Sequence, residues 1–131
     1  MKSGDSLQGY ELIEPIAQGG MGTVWKAKHP NLERIVAIKC IRSDLLLEPK
    51  ARRLFVEEVK LLSQLHSPQV LQVLDSGVSE QDEPFMVTEF LNGEDLSQHL
   101  DTHGAVDAAE ACRIGIDVLR ALTEAHALGI I

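Results

Sequence analysis

The sequence predicts an α+β protein: a five-stranded antiparallel sheet that takes one helix after its third strand, followed by two further helices. Three observations predict it. Short runs rich in Ile, Val and other strand formers, separated by turn residues, fill the first third of the chain and recur around residues 70–90. Between those regions, from Pro49 to Leu65, apolar residues recur at helical spacing. Beyond residue 95 the pattern stays helical.

Tyr10 to Ala17 is the first strand, and Pro15, which has no N–H to donate, implies an edge or a local break within it. Gln18-Gly19-Gly20-Met21-Gly22 is a turn into the second strand, Thr23 to Lys28. Arg34 to Ile41 is the third, rich in Ile and Val. The helix that follows carries Leu54, Phe55, Val59, Leu62 and Leu65 on its apolar stripe. Pro49 suits its first turn, and Ser67-Pro68 stops it. Val70 to Leu74 and Phe85 to Phe90 complete the sheet, joined by the polar loop Ser79 to Glu83. Asp95 to His103 is a short helix ended by Gly104. Asp107 to Leu128 is a long one striped by Ala111, Ile114, Val118, Leu122, Ala125 and Leu128. Asp107 with Glu110 has the spacing of a capping box, and Gly129 marks the stop.

Composition narrows the function classes. With 131 residues, 44% of them apolar and 24% charged, the chain fits one compact folded domain. The net charge of −8 repels phosphate backbones, which argues against nucleic acid as the main partner. An anionic ligand therefore needs a local cationic site. The two cysteines, Cys40 and Cys112, sit in apolar runs and read as small buried hydrophobes. Met1 to Gln8 has no apolar stretch of the signal-peptide kind, and no run reaches membrane-spanning length. The cytoplasm is thus the expected compartment. Of the five histidines, at 29, 66, 99, 103 and 126, only His99 and His103 lie four apart. With no third ligand evident, no metal site is expected and surface or packing roles are assigned.

Three residue patterns carry chemistry. A glycine cluster in a strand-to-strand turn lets backbone N–H groups approach phosphates, although a plain turn explains it equally. A strand rather than a helix follows the glycines, and no Gly-Lys-Ser/Thr is present, so neither a dinucleotide fold nor a Walker loop fits. Lys39 stands among Val36, Ala37, Ile38 and Ile41, and alternation puts Ala37, Lys39 and Ile41 on one face. Such a lysine either guards an edge strand or serves the site. Glu58 lies one turn from both Leu54 and Leu62, on the apolar stripe of its helix. It is either solvated at a rim or paired with a buried cation, and Lys39 is the candidate.

Taken in order, these patterns resemble the small lobe of a eukaryotic-type serine/threonine protein kinase. Ile16-Ala17-Gln18-Gly19-Gly20-Met21-Gly22-Thr23-Val24 resembles the kinase glycine-rich loop in the form common in bacterial kinases, with Ala17 where the motif begins with glycine. Val36-Ala37-Ile38-Lys39 matches the phosphate-holding strand, and Leu65-His66-Ser67-Pro68 resembles the turn after the kinase C-helix. The resemblance runs from about Tyr10 to Ile131. It implies a lead-in over residues 1–9, a nucleotide-holding lobe over 10–91, and the start of a second lobe over 92–131.

The resemblance also implies roles. Lys39 would hold the ATP α- and β-phosphates and Glu58 would position it, making these two the catalytic candidates. Gln18, Gly19, Gly20, Met21 and Gly22 would cover the phosphates, and Ile16, Ala17, Val24 and Ala37 would line the nucleotide pocket. Thr88 resembles the gatekeeper, with a strand-core threonine as the plain alternative. Glu89-Phe90-Leu91 resembles the hinge, whose Glu89 and Leu91 backbone would meet the adenine edge. Asp95 matches the acidic position near the ribose, or is the N-cap of its helix. ATP, with Mg²⁺, is the implied cofactor set, and a protein bearing a Ser/Thr hydroxyl is the implied partner. A pseudokinase or nucleotide-binding regulatory module is the alternative. The kinase base and metal ligands follow, in the family, the Gly-Ile-Ile found here at 129–131, so these residues alone are expected to be inactive and the chain is expected to continue.

Overall fold

The computed structural model describes residues 1–131, which divide into two compact units. The first comprises Met1–Gln64 with Leu71–Phe90, and the second Leu65–Val70 with Leu91–Ile131.

The first unit is built on a sheet of β1 (Ser6–Leu7), β2 (Tyr10–Gln18), β3 (Gly22–Lys28), β4 (Ile35–Ile41), β5 (Val73–Val78) and β6 (Pro84–Glu89), with α1 (Pro49–Gln64) inserted between β4 and β5. The order across the sheet is β1-β2-β3-β4-β6-β5, and every pairing is antiparallel. There are six strands rather than the expected five. The extra one, β1, is two residues long, too short for any periodicity. Its neighbourhood is held by long-range backbone bonds, Gly4 N–H to Leu12 O at 2.7 Å and Leu12 N–H to Asp5 O at 2.9 Å.

Pro15 does mark a break. The β2–β3 register shifts between Pro15 and Ala17, and again between Leu12 and Glu14, as expected where the ladder loses a donor. The strand expected at Val70–Leu74 instead runs Val73–Val78. Its far half, Asp75-Ser76-Gly77, is too polar to read as a strand. Pairing with β6 and the sheet's own curl hold it there. Tyr10 Oη donates to Asp75 Oδ2 at 3.0 Å and Gln8 Nε2 donates to the Val78 carbonyl, so the β1–β2 end of the sheet meets β5 at the opposite end.

That curl encloses the main core. Leu7, Tyr10, Leu12, Trp25, Ala27, Val36, Ile38, Cys40, Phe85 and Val87 pack together on one face. The other face holds Ile41 and Met86 against Ala51 and Phe55 of α1, with Val59 and Leu62 alongside. The alternation read from β4 is therefore real: Val36 and Ile38 face one core, and Ile41, two residues from Lys39, faces the other.

The second unit contains α2 (Leu96–His103) and α3 (Ala108–Ala127). Asp95 caps α2 with a complete capping box. It accepts from Gln98 N–H at 2.8 Å, while its own N–H donates to Gln98 Oε1 at 3.0 Å. Asp107 caps α3 through Glu110 N–H at 2.8 Å. The reciprocal half of the box expected there is replaced, because the Glu110 carboxylate instead takes Arg113 within its own helix. Glu124 accepts the His66 and Ser67 N–H groups, which ties 65–70 to α3. Of the expected stripe on α3, Ala125 is buried and Ile114 half-buried, but Val118, Leu122 and Leu128 are exposed. Cys112, expected inside, is also exposed, because it lies off the face that carries Ala125. No helix is long and apolar enough to cross a membrane.

Candidate functional site

The site in the first unit starts with β4. Because β3 and β6 flank it, β4 is an interior strand, and an edge-guarding purpose for Lys39 is ruled out. In register, Val24 lies opposite Lys39 on β3 and Met86 opposite it on β6. Paired residues of an antiparallel ladder share a face. Lys39 therefore emerges on the α1 side of the sheet, between apolar neighbours.

The rotation of α1 decides what Lys39 meets. Pro49 opens the helix where its missing N–H removes no bond. Ala51 and Phe55, one turn apart, seat on Ile41 and Met86, and Phe55 is only 1% exposed. With those anchors fixed, Glu58, three residues beyond Phe55, faces the sheet. Leu54, expected on the inner stripe, lies on the exposed flank instead, because Phe55 takes the inward position. Lys39 Nζ donates to both Glu58 carboxylate oxygens, at 2.8 and 3.1 Å. The side chains are 26% and 34% exposed, so the pair sits at the lip of the unit rather than deep within it.

The glycine turn closes over the same face. Gly19 N–H donates to the Gly22 carbonyl at 2.8 Å, and Arg42 N–H holds the Met21 carbonyl at 2.9 Å. A cavity of about 460 Å³ is lined by residues 17–22, Val24 and Lys39. Gly22 is obligatory on steric grounds, since a Cβ there would lie 2.5 Å from the Cys40 carbonyl oxygen. Gly19 and Gly20 meet no such obstacle from the protein itself. Ala17 lies in β2 and has no positive φ, so alanine carries no backbone penalty where the motif has glycine.

Along the same face, Lys26, Ala37, Thr88 and Val73 form one register row. Ala37 and Thr88 are buried, and the Thr88 hydroxyl donates to the Glu89 carbonyl at 3.2 Å. Thr88 is thus a satisfied strand-core residue. The Glu89 carboxylate accepts from Gln72 N–H, and Glu89 N–H donates to the Gln72 carbonyl, both at 3.1 Å, which anchors the end of β6. Ile16, on β2, is 45% exposed. Lys26 lies 5.2 Å from the centroid of the Phe90 ring.

Leu91 and Asp95 belong to the second unit. There Leu91 is exposed and Asp95 serves as the α2 cap. The sequence reading missed one grouping in this unit. His99 and His103 have Glu94 beside them, and one potential ligand atom from each of the three lies within 4.8 Å of the others. Glu94 precedes the helix and lies five residues from His99, outside the three- and four-residue spacings that flag a helix face.

Residues 10–131 match the family described as the protein kinase domain. The serine/threonine-protein kinase pkn3 of Myxococcus xanthus is 34% identical over 93% of this chain, which spans 22% of that relative. The serine/threonine-protein kinase PknA of Mycobacterium tuberculosis is 34% identical over 98% of the chain, which spans 31% of it. Among solved structures, the Mycobacterium tuberculosis PknI kinase domain aligns with TM-score 0.82 at 27% identity, covering 98% of this chain and 52% of that one. Rad53 1-466 in complex with AMP-PNP aligns with TM-score 0.77 at 25% identity, over 93% of this chain and 31% of the other. The chain thus spans less than a third of these curated relatives.

Proposed function

The chain belongs to the protein kinase domain family, and on that premise we propose that it is the nucleotide-holding part of a serine/threonine protein kinase. The parent reaction moves the ATP γ-phosphoryl group to a Ser or Thr hydroxyl of a protein. In this reading residues 10–91 are the ATP-holding lobe and 92–131 begin the next.

The observation that carries the proposal is the Lys39–Glu58 pair beside the glycine-turn cavity. An ammonium has three N–H donors and no acceptor. Two contacts go to Glu58, which fixes the Lys39 head and leaves donor capacity for a phosphate oxygen. Phosphoryl transfer depends mainly on positioning and on charge stabilisation, so a pre-held cation is the useful element here. Gly19 and Gly20 present backbone with no side chain in the way. Val24 and Ala37 supply apolar surface for a base. An intact ion pair favours a catalytic parent over a purely nucleotide-sensing one.

Mg²⁺ is implied by the family. No carboxylate lines the glycine-turn cavity, so the residues there do not form a Mg²⁺ site.

The test is transfer from ATP labelled in its γ-phosphate to a protein acceptor, using the protein at its natural full length, followed by phosphoamino-acid analysis. Phosphoserine and phosphothreonine are expected. Phosphotyrosine alone, or binding of ATP with no transfer, contradicts the proposal.

A further inference from the structure

We propose that Glu94, His99 and His103 form a binding site for a divalent transition-metal ion of the Zn²⁺ type, on one side of α2. This site is separate from the glycine turn and does not rest on the kinase reading.

The geometry comes from the helix. Residues four apart on a helix lie one turn above each other on one face, the spacing by which paired histidines chelate zinc. The His99 and His103 rings are already stacked, with centroids 4.4 Å apart and planes 24° apart. Glu94 reaches the same point from the segment before the helix. Its Oε1 lies 2.7 Å from His99 Nδ1 and 3.9 Å from His103 Nδ1. The capping box at Asp95 fixes the chain direction there, which orients Glu94 toward the first turn.

The donor set suits the ion. Two imidazoles and one carboxylate make a three-ligand zinc site that leaves a fourth position open. Zinc–ligand bonds of about 2.0–2.2 Å put tetrahedral ligand atoms roughly 3.4 Å apart. The three donors lie within 4.8 Å, so exposed side chains need close by only about an ångström and a half. All three side chains are 40–57% exposed, so solvent ions reach them. Glu94 and His99 also share a cavity of about 260 Å³ with Asp95, Glu110, Leu96, Val106 and Ile114, in which Asp95 and Glu110 are already engaged by the Gln98 N–H and by Arg113. On binding, the ion takes a lone pair from each ligand, so the ligating nitrogens must be unprotonated and the 2.7 Å His99–Glu94 contact gives way to bonds to the ion.

The test is calorimetric titration of the intact protein with Zn²⁺ alone, supported by the visible absorption of Co²⁺ in its place. One equivalent is expected in wild type, with a Co²⁺ spectrum of low coordination number. His99→Gln, His103→Gln and Glu94→Gln should each weaken binding at least tenfold, since each removes a direct ligand. Circular dichroism of each variant checks that α2 persists. Unchanged affinity in the double variant His99→Gln/His103→Gln, which keeps the other three histidines, overturns the site. Unchanged affinity in Glu94→Gln overturns the three-ligand assignment and leaves Glu94–His99 as a plain ion pair. Absence of a one-equivalent transition in wild type overturns the proposal outright.

Discussion

Replacing Glu58 by glutamine separates what the Lys39–Glu58 pair does for stability from what it does for function. Glutamine keeps the shape and one acceptor oxygen but loses the charge. The two contacts, at 2.8 and 3.1 Å, are short enough for a strong charge-assisted pair. Exposure of 26% and 34% argues the other way, because solvent screens the attraction and Lys39 can be rehydrated when its partner is lost. Screening wins, and the stability loss should be about 1 kcal/mol, the upper range for exposed pairs. In a cooperative domain of about 150–250 residues that lowers Tm by roughly 2–4 °C. The kinetic effect should be far larger, because a loosened Lys39 no longer holds the phosphates in place. Misplacement by about 1 Å costs on the order of 10²-fold. The assay is steady-state kinetics on the full-length protein, with a thermal melt of the same preparation. A variant that turns over like wild type refutes the positioning argument. A Tm loss above about 10 °C shows that the pair behaves as a buried one and that the exposure argument fails.

Further outcomes follow from the same geometry. Gly22→Ala should destabilise by about 1–3 kcal/mol in urea denaturation, because its Cβ would press on the Cys40 carbonyl, whereas Gly20→Ala, with nothing within 4 Å, should be within about 0.5 kcal/mol of wild type. Burial, reinforced by Glu83, pushes the Cys40 thiol up from 9.0 to about 12. Its raised value means that its share of stability is complete below pH 9 and is lost as pH rises toward 12, so an alkaline melt should steepen in that window. At pH 8 a thiol reagent should label the exposed Cys112 and leave Cys40 until the protein unfolds. The 131-residue polypeptide should elute above monomer size on gel filtration, since α3 leaves Ile116, Val118, Leu119 and Leu122 at 48%, 52%, 62% and 41% exposure; a clean monomer would refute this.

Much of this was legible in the residues because the strongest signals are local. The β4 alternation and the α1 stripe depend only on near neighbours, and Glu58 beside Lys39 followed from two faces that each needed the other. What escaped was held by distance. Two-residue β1 has no period, and β5 is a strand because β6 and Tyr10 hold a polar Asp75 in place. Leu54 and Phe55 both fit a helical stripe, and only packing against Ile41 and Met86 chose Phe55. Glu94 joins the two histidines through the turn before α2, a path with no fixed spacing. Ala17, by contrast, departs from the motif without a backbone penalty, because it lies in β2 with no positive φ.

The central claim is that Lys39 positions ATP phosphates for transfer to a protein hydroxyl, and Lys39→Met in the full-length protein tests it most directly. The measurement is kcat against ATP affinity, with both determined on the same preparation. Loss of one preorganised charge at the transferring group predicts a fall in kcat on the order of 10²-fold or more, with a much smaller change in ATP affinity. Wild-type kcat in the Lys39→Met protein would contradict the account.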